Sequence, residues 1–378
     1  MIDLSVPGIA ALNVRRSDKW EAHDSDVLSS TIAEMDFPIA APIAEALTAA
    51  VQRSDLGYAP HNCDRLIAGL AGFAARRLAW TIDPEQVTVV PDVVQGLVVV
   101  ADALLPPGAP VGFFTPAYPP FFYDLIRPTV SIPLQANYTP DLGALEAALR
   151  DGLRVLVLTN PHNPSGQVHT RSQLSAIADL CVQYGAWVLS DEIHAPLVLP
   201  GSEFTSWLEV SDAARSCGFV MTSGSKAFNI AGLKCAMVVT ADSATRSVMR
   251  GVPNAFTDHV GYLGVLATEA AFEAGDEWLD AVVAQLDRNR TLLADGLREH
   301  LPEVHWLPPR ATYLAWLDCR ELGLADPAAT FLANGRVAVS SGPAFGPQGD
   351  GFVRLNFGTS PELVSEMVVR MARAVGRG

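Results

Sequence analysis

The sequence has few basic residues, and lysine is the scarcest of them. Lysine occurs only at Lys19, Lys226 and Lys234. Acidic residues outnumber basic ones, and the formal net charge of -15 would repel nucleic-acid backbones and anionic lipid surfaces over long distances. The composition therefore argues against nucleic-acid and membrane partners, although it still allows a small anionic ligand. It also leaves few candidates for a reaction that needs a primary amine.

The cysteines are odd in number, scattered along the chain and never spaced as C-x-x-C. They are Cys63, Cys181, Cys217, Cys235 and Cys319. The pattern indicates neither a disulfide framework nor a zinc site, so we expect buried free thiols.

Long apolar runs are absent as well. No stretch offers the roughly eighteen consecutive apolar residues that span a membrane, and residues 1–16 lack the basic and apolar segments of a secretory signal. We therefore expect a cytoplasmic protein. With 378 residues and 49% hydrophobic content, the chain can bury one large core and a smaller one, as a globular enzyme does.

The middle of the chain alternates strand-like and helix-like segments, which predicts βαβ units and an α/β sheet. Short apolar runs typical of buried strands occur at residues 153–158, 186–189 and 219–221. Between the first two, residues 171–184 have the pattern of an amphipathic helix. Polar clusters follow these strands at residues 159–164, 190–192 and 222–226. Ligands of α/β sheets gather at such strand ends.

After Gly275 the pattern becomes that of an α+β domain. A helical pattern over residues 277–300 precedes strand-like pieces at 311–317 and 352–357 and a final helix. We predict a large domain over residues 45–276 and a small domain over residues 277–378. The turn-rich segment 1–44 is expected to pack with the small domain or across a dimer.

Lys226 follows a strand-like run in S-G-S-K, residues 223–226. Burying an ammonium ion there is costly, whereas a Schiff base with an aldehyde turns the lysine into a catalytic tether. The alternative is a surface lysine at a helix start, and Lys226 alone does not decide. Further along the same segment, Lys234 could supply a cation for a phosphate, with hydroxyl donors from Ser223 and Ser225.

Asp191 ends another strand-like run, in S-D-E-I-H at residues 190–194. A carboxylate there suits a protonated pyridine nitrogen, which makes pyridoxal 5'-phosphate (PLP) an electron sink. A magnesium-binding acid would need a G-x-x-x-x-G-K-[ST] loop, and the S-x-x-K spacing of Ser223 and Lys226 would need S-D-N and K-T-G. The sequence contains none of these companions.

Asn163 and Arg354 are polar residues in constrained or apolar surroundings. Asn163 lies in N-P-H-N-P-S-G, residues 160–166, where the prolines and the glycine fix an irregular loop. Its amide could donate to the phenolate oxygen of PLP or form an Asx turn. Arg354 is a lone cation in an apolar strand and could hold a carboxylate, although without context a surface ion pair is the simpler interpretation.

Three motifs follow one another along the chain. They are N-P-H-N-P-S-G at residues 160–166, S-D-E-I-H at 190–194 and S-G-S-K-A-F-N-I-A-G-L-K at 223–234. The set resembles the class I and II aminotransferases of PLP fold type I. K-W at 19–20, E-M-D-F-P at 34–38 and G-Y at 57–58 further resemble the MalY/PatB group of cystathionine β-lyases and C-S lyases. The resemblance implies an aspartate aminotransferase-like α/β fold, with a mainly parallel seven-stranded sheet domain and a small α+β domain.

The resemblance also implies roles around the cofactor ring. Lys226 would carry PLP and then shuttle protons, Asp191 would pair with the pyridinium nitrogen, and Asn163 would bind the ring oxygen. Tyr118 would stack on the ring, and Arg354 would bind the substrate carboxylate.

For the phosphate, the resemblance implies backbone amides at a helix start, near Val93 and Val94. The side chains expected beside them are those of Ser223, Ser225 and Lys234. Tyr58 would reach the phosphate in the neighbouring subunit, which implies a homodimer with composite active sites.

Three positions depart from the wider pattern. His194 stands where typical aminotransferases have tyrosine beside the ring oxygen, as in the lyase group, and we expect it at the cofactor. Glu34 stands where the lyase group usually has alanine or aspartate, and Pro196 replaces a common acidic residue. Either of these two changes could alter substrate choice.

The function implied is β-elimination from a cysteine conjugate such as cystathionine, giving a thiol, pyruvate and ammonia. An aminotransferase is the alternative, because it shares every step through loss of the Cα proton. The sequence hardly separates the two. A PLP-binding regulator ranks below both, since no basic DNA-binding region accompanies the site residues.

Overall fold

The computed structural model describes residues 2–257 and 259–377. Their strands are β1 (Leu28–Ser30), β2 (Val87–Val90), β3 (Val111–Thr115), β4 (Thr129–Pro133), β5 (Val155–Thr159), β6 (Trp187–Asp191), β7 (Gly218–Thr222), β8 (Ala236–Val239), β9 (His305–Trp306), β10 (Leu314–Asp318), β11 (Val337–Ser341) and β12 (Phe352–Asn356).

The same residues form helices of 4 to 25 residues. They are α1 (Ile9–Leu12), α2 (Asp18–Glu21), α3 (Ala41–Gln52), α4 (Asp64–Leu78), α5 (Val93–Leu104), α6 (Leu142–Arg150), α7 (Arg171–Gln183), α8 (Asp212–Cys217), α9 (Ser243–Arg250), α10 (Tyr262–Ala274), α11 (Asp276–His300), α12 (Pro327–Gly335) and α13 (Pro361–Ala374). None of these helices is long and apolar enough to cross a membrane.

The larger sheet has seven strands in the order β2-β8-β7-β6-β5-β3-β4. The neighbours from β7 to β4 are parallel, while β8 runs antiparallel to both β7 and β2. Strands β5, β6 and β7 coincide with the apolar runs of the sequence and are buried along nearly their whole length. The predicted α/β fold with a mainly parallel seven-stranded sheet is therefore confirmed.

The second sheet has five strands in the order β1-β11-β12-β10-β9. Strand β1 pairs in parallel with β11, so the turn-rich N-terminal segment contributes to a sheet built mostly from C-terminal residues. Helices α11 and α13 pack against each other beside it. The five cysteines are buried free thiols, as expected.

Side chains fix where several helices begin. The carboxylates of Asp92 and Asp141 accept backbone hydrogen bonds in the first turns of α5 and α6. Thr170 and Gln173 form a capping box at the start of α7. The Asp92 cap fixes the first turn of α5, which lies at the end of the larger sheet beside the candidate site.

Candidate active site

A cavity of about 710 Å³ opens at the carboxyl ends of the parallel strands. Thr159 and Asp191 end β5 and β6, Ser223 follows β7, and all three line the cavity. Another wall is the first turn of α5. The cavity brings together most of the predicted site residues, namely Val93, Val94, Tyr118, Asn163, Asp191, His194, Ser223, Ser225, Lys226 and Lys234.

Lys226 is a half-buried amine on the cavity wall. Its Nζ donates to the backbone carbonyl of Ala33 at 3.0 Å. Burial and the nearby charge of Arg354 lower the pKa of Lys226 to about 8, against the opposing effects of Glu34 and Asp191. A substantial fraction of the amine is therefore neutral, and nucleophilic, near pH 8.

Asp191 is buried at the end of β6 and accepts a hydrogen bond from the backbone amide of Ile193 at 3.1 Å. Burial raises the pKa of Asp191 to about 6, while that amide and Lys226 oppose the rise. The carboxylate is therefore mostly ionised at neutral pH. It can stabilise a protonated ring nitrogen in the cavity.

Glu192 is the neighbouring carboxyl but has a different environment. Its Oε1 accepts hydrogen bonds from the Ser190 hydroxyl at 3.0 Å and the Trp207 amide at 2.7 Å. Burial raises the pKa of Glu192 to about 8, so this carboxyl is protonated at neutral pH. Two adjacent carboxyls thus differ in charge, and only Asp191 lines the cavity.

Arg354 and Asn163 are buried and in contact, although Arg354 itself does not line the cavity. Nη1 of Arg354 donates to Oδ1 of Asn163 at 3.0 Å, and Nη2 donates to the Thr31 carbonyl at 2.8 Å. The guanidinium also lies 5.0 Å from the centroid of the Phe345 ring. Its buried Nε has no hydrogen-bond partner. A buried guanidinium whose partners among the described residues include no carboxylate is suited to an external carboxylate rather than to a surface ion pair.

The start of α5 is a candidate anion subsite. The first amides of a helix have no intrahelical acceptors, so those of Val93 and Val94 can bind a phosphate. Lys234 lies beside them, with its Nζ 2.9 Å from Oδ2 of Asp92. The Ser223 hydroxyl donates to the Cys235 carbonyl at 2.6 Å and accepts from the Ser225 amide at 3.0 Å. These two bonds stabilise the backbone at this wall of the cavity.

Aromatic side chains complete the cavity. Tyr118 is half-buried on the wall, with its ring 5.6 Å from that of Phe121. His194 is buried, its Nδ1 has no hydrogen-bond partner, and its ring lies 6.2 Å from that of Tyr313. Burial and the charges of Lys226 and Arg354 lower the pKa of His194 to about 3, so the imidazole is neutral.

Three other positions singled out in the sequence lie outside the cavity lining. Tyr58 is 99% exposed and contributes nothing to the cavity of its own subunit. Glu34 is half-buried, close enough to Lys226 and Tyr313 to raise the pKa of each. Pro196 is buried in the turn after His194.

Sequence reasoning missed three contributors to the site. Asp92, which pairs with Lys234, was not singled out in the sequence. Its D-x-x-Q spacing to Gln95 is a helix-start signal that could have drawn attention to it. Glu192 lies in the S-D-E-I-H motif at residues 190–194, but the sequence did not indicate that its carboxyl is buried and hydrogen-bonded with a raised pKa. Tyr313, whose hydroxyl donates to the Ala33 carbonyl at 2.8 Å, precedes β10 and had no signal in the sequence beyond its place in the strand-like run 311–317.

The donor set fits PLP at each part of the molecule. The Lys226 amine, with its lowered pKa, and the mostly ionised Asp191 carboxylate lie in one cavity. Amide and ammonium donors line its wall at the candidate anion subsite. No group of three or more metal-ligating side chains occurs in the part of the chain that the structure describes.

Known proteins match nearly the whole chain. The profile of the family "Aminotransferase class I and II" matches residues 31–371. A cystathionine β-lyase from Corynebacterium glutamicum is 35% identical over 374 residues, covering 97% of this chain and 98% of that protein. The cystathionine β-lyase PatB from Bacillus subtilis is 33% identical, covering 95% and 97%. A crystal structure of a provisionally named PLP-dependent β-cystathionase from Corynebacterium diphtheriae is 37% identical, with a TM-score of 0.95 over 99% of both chains.

Proposed function

The chain belongs to the family of class I and II aminotransferases, and we propose that within it this protein is a PLP-dependent carbon-sulfur β-lyase. Its substrates are cysteine S-conjugates, of which cystathionine is the first to test. Hydrolytic β-elimination converts such a conjugate and water into a thiol, pyruvate and ammonia. The lyase names of relatives that match nearly the whole chain support this choice over transamination.

The proposal rests above all on one observation about the lysines. Lys19 is buried and lies 2.8 Å from a carboxylate oxygen of Asp36, and Lys234 is paired with Asp92. Lys226 has no carboxylate within ion-pair distance among the described residues, and it faces the cavity with a lowered pKa. It is therefore the lysine best suited to act as a neutral amine.

When bound, PLP supplies an electrophilic aldehyde and a ring that accepts electrons from the substrate Cα. Lys226 Nζ would hold the aldehyde and, once free, would be the base that takes the Cα proton. The Asp191 carboxylate would stabilise a proton on the ring nitrogen. Asn163 would bind the ring oxygen, and Tyr118 would cover one face of the ring.

The substrate and the phosphate are held at different walls. Arg354, which lies behind the cavity residue Asn163, would bind the substrate carboxylate with its guanidinium and so orient the Cα–H bond toward Lys226. The neutral His194 can donate or accept one hydrogen bond at the ring without adding charge. The phosphate would be held by the backbone amides of Val93 and Val94 and by Ser225 and Lys234, whereas the predicted donor Ser223 gives its hydroxyl hydrogen to the Cys235 carbonyl.

We also propose that the active unit is a homodimer with composite sites. Tyr58 supports this, because a tyrosine that is 99% exposed on a loop with neighbouring exposed Leu56 is suited to contact a second subunit. In the dimer Tyr58 would contribute its hydroxyl to the phosphate in the partner's cavity.

A panel of amino acids, with cystathionine among them, tests the reaction. We expect pyruvate and a thiol to form without any oxo acid, and the Lys226→Ala variant to form neither. A pyridoxamine form of the cofactor that is turned over only by an oxo acid would instead identify a transferase. Absence of both products from the whole panel would contradict the proposal.

A further inference from the structure

Asp92 places a carboxylate in the anion subsite itself. It lies immediately before α5 and lines the same cavity as Val93, Val94 and Lys234. Its Oδ1 accepts a hydrogen bond from the Gln95 amide at 2.8 Å, and its Oδ2 lies 2.9 Å from Lys234 Nζ. One side chain thus caps the helix and pairs with the nearest lysine.

This arrangement opposes the binding of a phosphate. The carboxylate has the same sign of charge as the ligand, and it already occupies the lysine that a phosphate would use. With Lys234 and Asp92 balancing each other, the helix terminus and neutral donors are left to attract the ligand. Both side chains remain partly exposed, at 61% for Lys234 and 36% for Asp92, so solvent moderates the effect without removing it.

Helix capping alone does not require the ion pair. Asp141 caps α6 through the same kind of bond, from the Ala144 amide at 2.9 Å, and has no ion-pair partner among the described residues. Asparagine caps a helix about as well as aspartate. The charge of Asp92 therefore has an effect that its capping role does not explain.

We propose that Asp92 competes with phosphate for Lys234 and thereby limits how tightly the apoprotein binds phosphate-bearing ligands, its own cofactor included. The part about the cofactor rests on the proposed function. The competition for phosphate itself concerns only the charges at the start of α5. Asp92 is thus an affinity-setting residue of the subsite and takes no part in proton transfer.

The test compares the apoproteins of the wild type, Asp92→Asn and the matched cap variant Asp141→Asn. Dissociation constants are measured by titration calorimetry for inorganic phosphate, PLP and pyridoxal, which lacks the phosphate. We expect Asp92→Asn to bind phosphate and PLP roughly threefold to tenfold more tightly and pyridoxal unchanged. Asp141→Asn should match the wild type with all three ligands.

Competition for Lys234 predicts that the effect of Asp92→Asn depends on Lys234. The Lys234→Gln variant should itself bind phosphate more weakly. When Asp92→Asn is added to this variant, the gain in phosphate affinity should be smaller than in the wild type. A gain of full size in the Lys234→Gln variant would overturn the competition. So would phosphate affinity that is unchanged or weaker in Asp92→Asn, or an equal gain for pyridoxal.

Two controls keep the outcomes separate. If Asp92→Asn melts at a lower temperature than the wild type, Asp92→Ser, which also caps a helix, replaces it in the same titrations. If the wild type fails to bind PLP, the proposed function fails. If the wild type binds PLP and Asp92→Asn behaves identically, this inference alone is wrong.

Discussion

Burial shifts the pKa values of neighbouring groups at the site in different directions. It lowers the pKa of Lys226 to about 8 and raises that of Asp191 to about 6, so both move toward neutrality. It raises the pKa of Glu192 to about 8, which leaves that carboxyl neutral beside an ionised Asp191. Near pH 8 a substantial fraction of the Lys226 amine is neutral while Asp191 is ionised, and the neutral amine is the form that can accept a proton from an amino acid.

Glu192 gives a test of this account through the pH dependence of stability. The pKa of Glu192 is raised from 4.5 to about 8 in the fold, so between these values the folded chain retains a proton that the unfolded chain loses. This group therefore stabilises the fold fully below pH 4.5, and its contribution is lost as the pH rises toward 8. Glu192→Gln cannot ionise and should not lose stability in this way.

The measurement is urea unfolding of the apoproteins at pH 5 and pH 7. Relative to the wild type, Glu192→Gln should gain up to about 1.4 kcal/mol of unfolding free energy for each pH unit. Glu45→Gln, at an exposed position of α3, should show no such drift. A difference between Glu192→Gln and the wild type that is the same at both pH values would count against a protonated Glu192.

At the residue scale, the sequence pointed to positions that combine a strand end with a reactive group. Lys226 and Asp191 were found in this way, and the structure brings both to one cavity. The buried state of Arg354 could not be read from an apolar strand, because it depends on contacts with Thr31 and Asn163 far away in the sequence. The roles of these residues stay predictions until they are tested.

At the scale of elements, the loop at residues 160–166 is hydrogen-bonded to the segment 310–311 that precedes β10. The Gly166 carbonyl accepts hydrogen bonds from the amides of Arg310 and Ala311 at 2.8 and 3.0 Å. Gly166 has a φ of +67°, and a Cβ there would lie 2.3 Å from the Cβ of Pro309. The prolines and the glycine predicted an irregular loop, but the close approach of residues 309–311 left no trace in the local sequence.

Gly166→Ala should therefore disturb the loop that carries Asn163. We expect a loss of unfolding free energy of about 2 kcal/mol or more, with weaker PLP binding, because both the backbone conformation and the contact with Pro309 resist a Cβ. Gly201→Ala is the matched control, since Gly201 has a φ of +84° but nothing within 4 Å of its added Cβ.

Urea unfolding and PLP titration of both variants make the comparison. Gly201→Ala should lose only about 1 kcal/mol and bind PLP normally. Equal losses in the two variants would mean that the contact with Pro309 is unimportant.

At the scale of the whole molecule, the alternation of apolar strands and amphipathic helices predicted the fold class correctly. A second sheet could not be derived in full, because β1 pairs with β11 across most of the chain. The domain limits at residues 44 and 276 and the dimer stay predictions. Oligomeric contacts leave no periodic signal in a single sequence; the resemblance of the G-Y segment at residues 57–58 implies them, and the exposure of Tyr58 supports them.

Subunit complementation tests the composite sites. An inactive Tyr58→Phe variant is mixed with an inactive Lys226→Ala variant, and the subunits are allowed to exchange. If Tyr58 serves the neighbouring subunit, each hybrid dimer regains one site with both residues intact, and activity returns. If Tyr58 serves its own subunit, every hybrid site keeps one defect and the mixture stays inactive.

The most direct measurement identifies the lysine that holds the cofactor. The purified protein with bound PLP is reduced with borohydride, digested and mapped by mass spectrometry. Because Lys19 and Lys234 are held in ion pairs while Lys226 faces the cavity, the account predicts a label on Lys226 alone and loss of the yellow absorption band in Lys226→Ala. A label on Lys19 or Lys234, or no label, would contradict it.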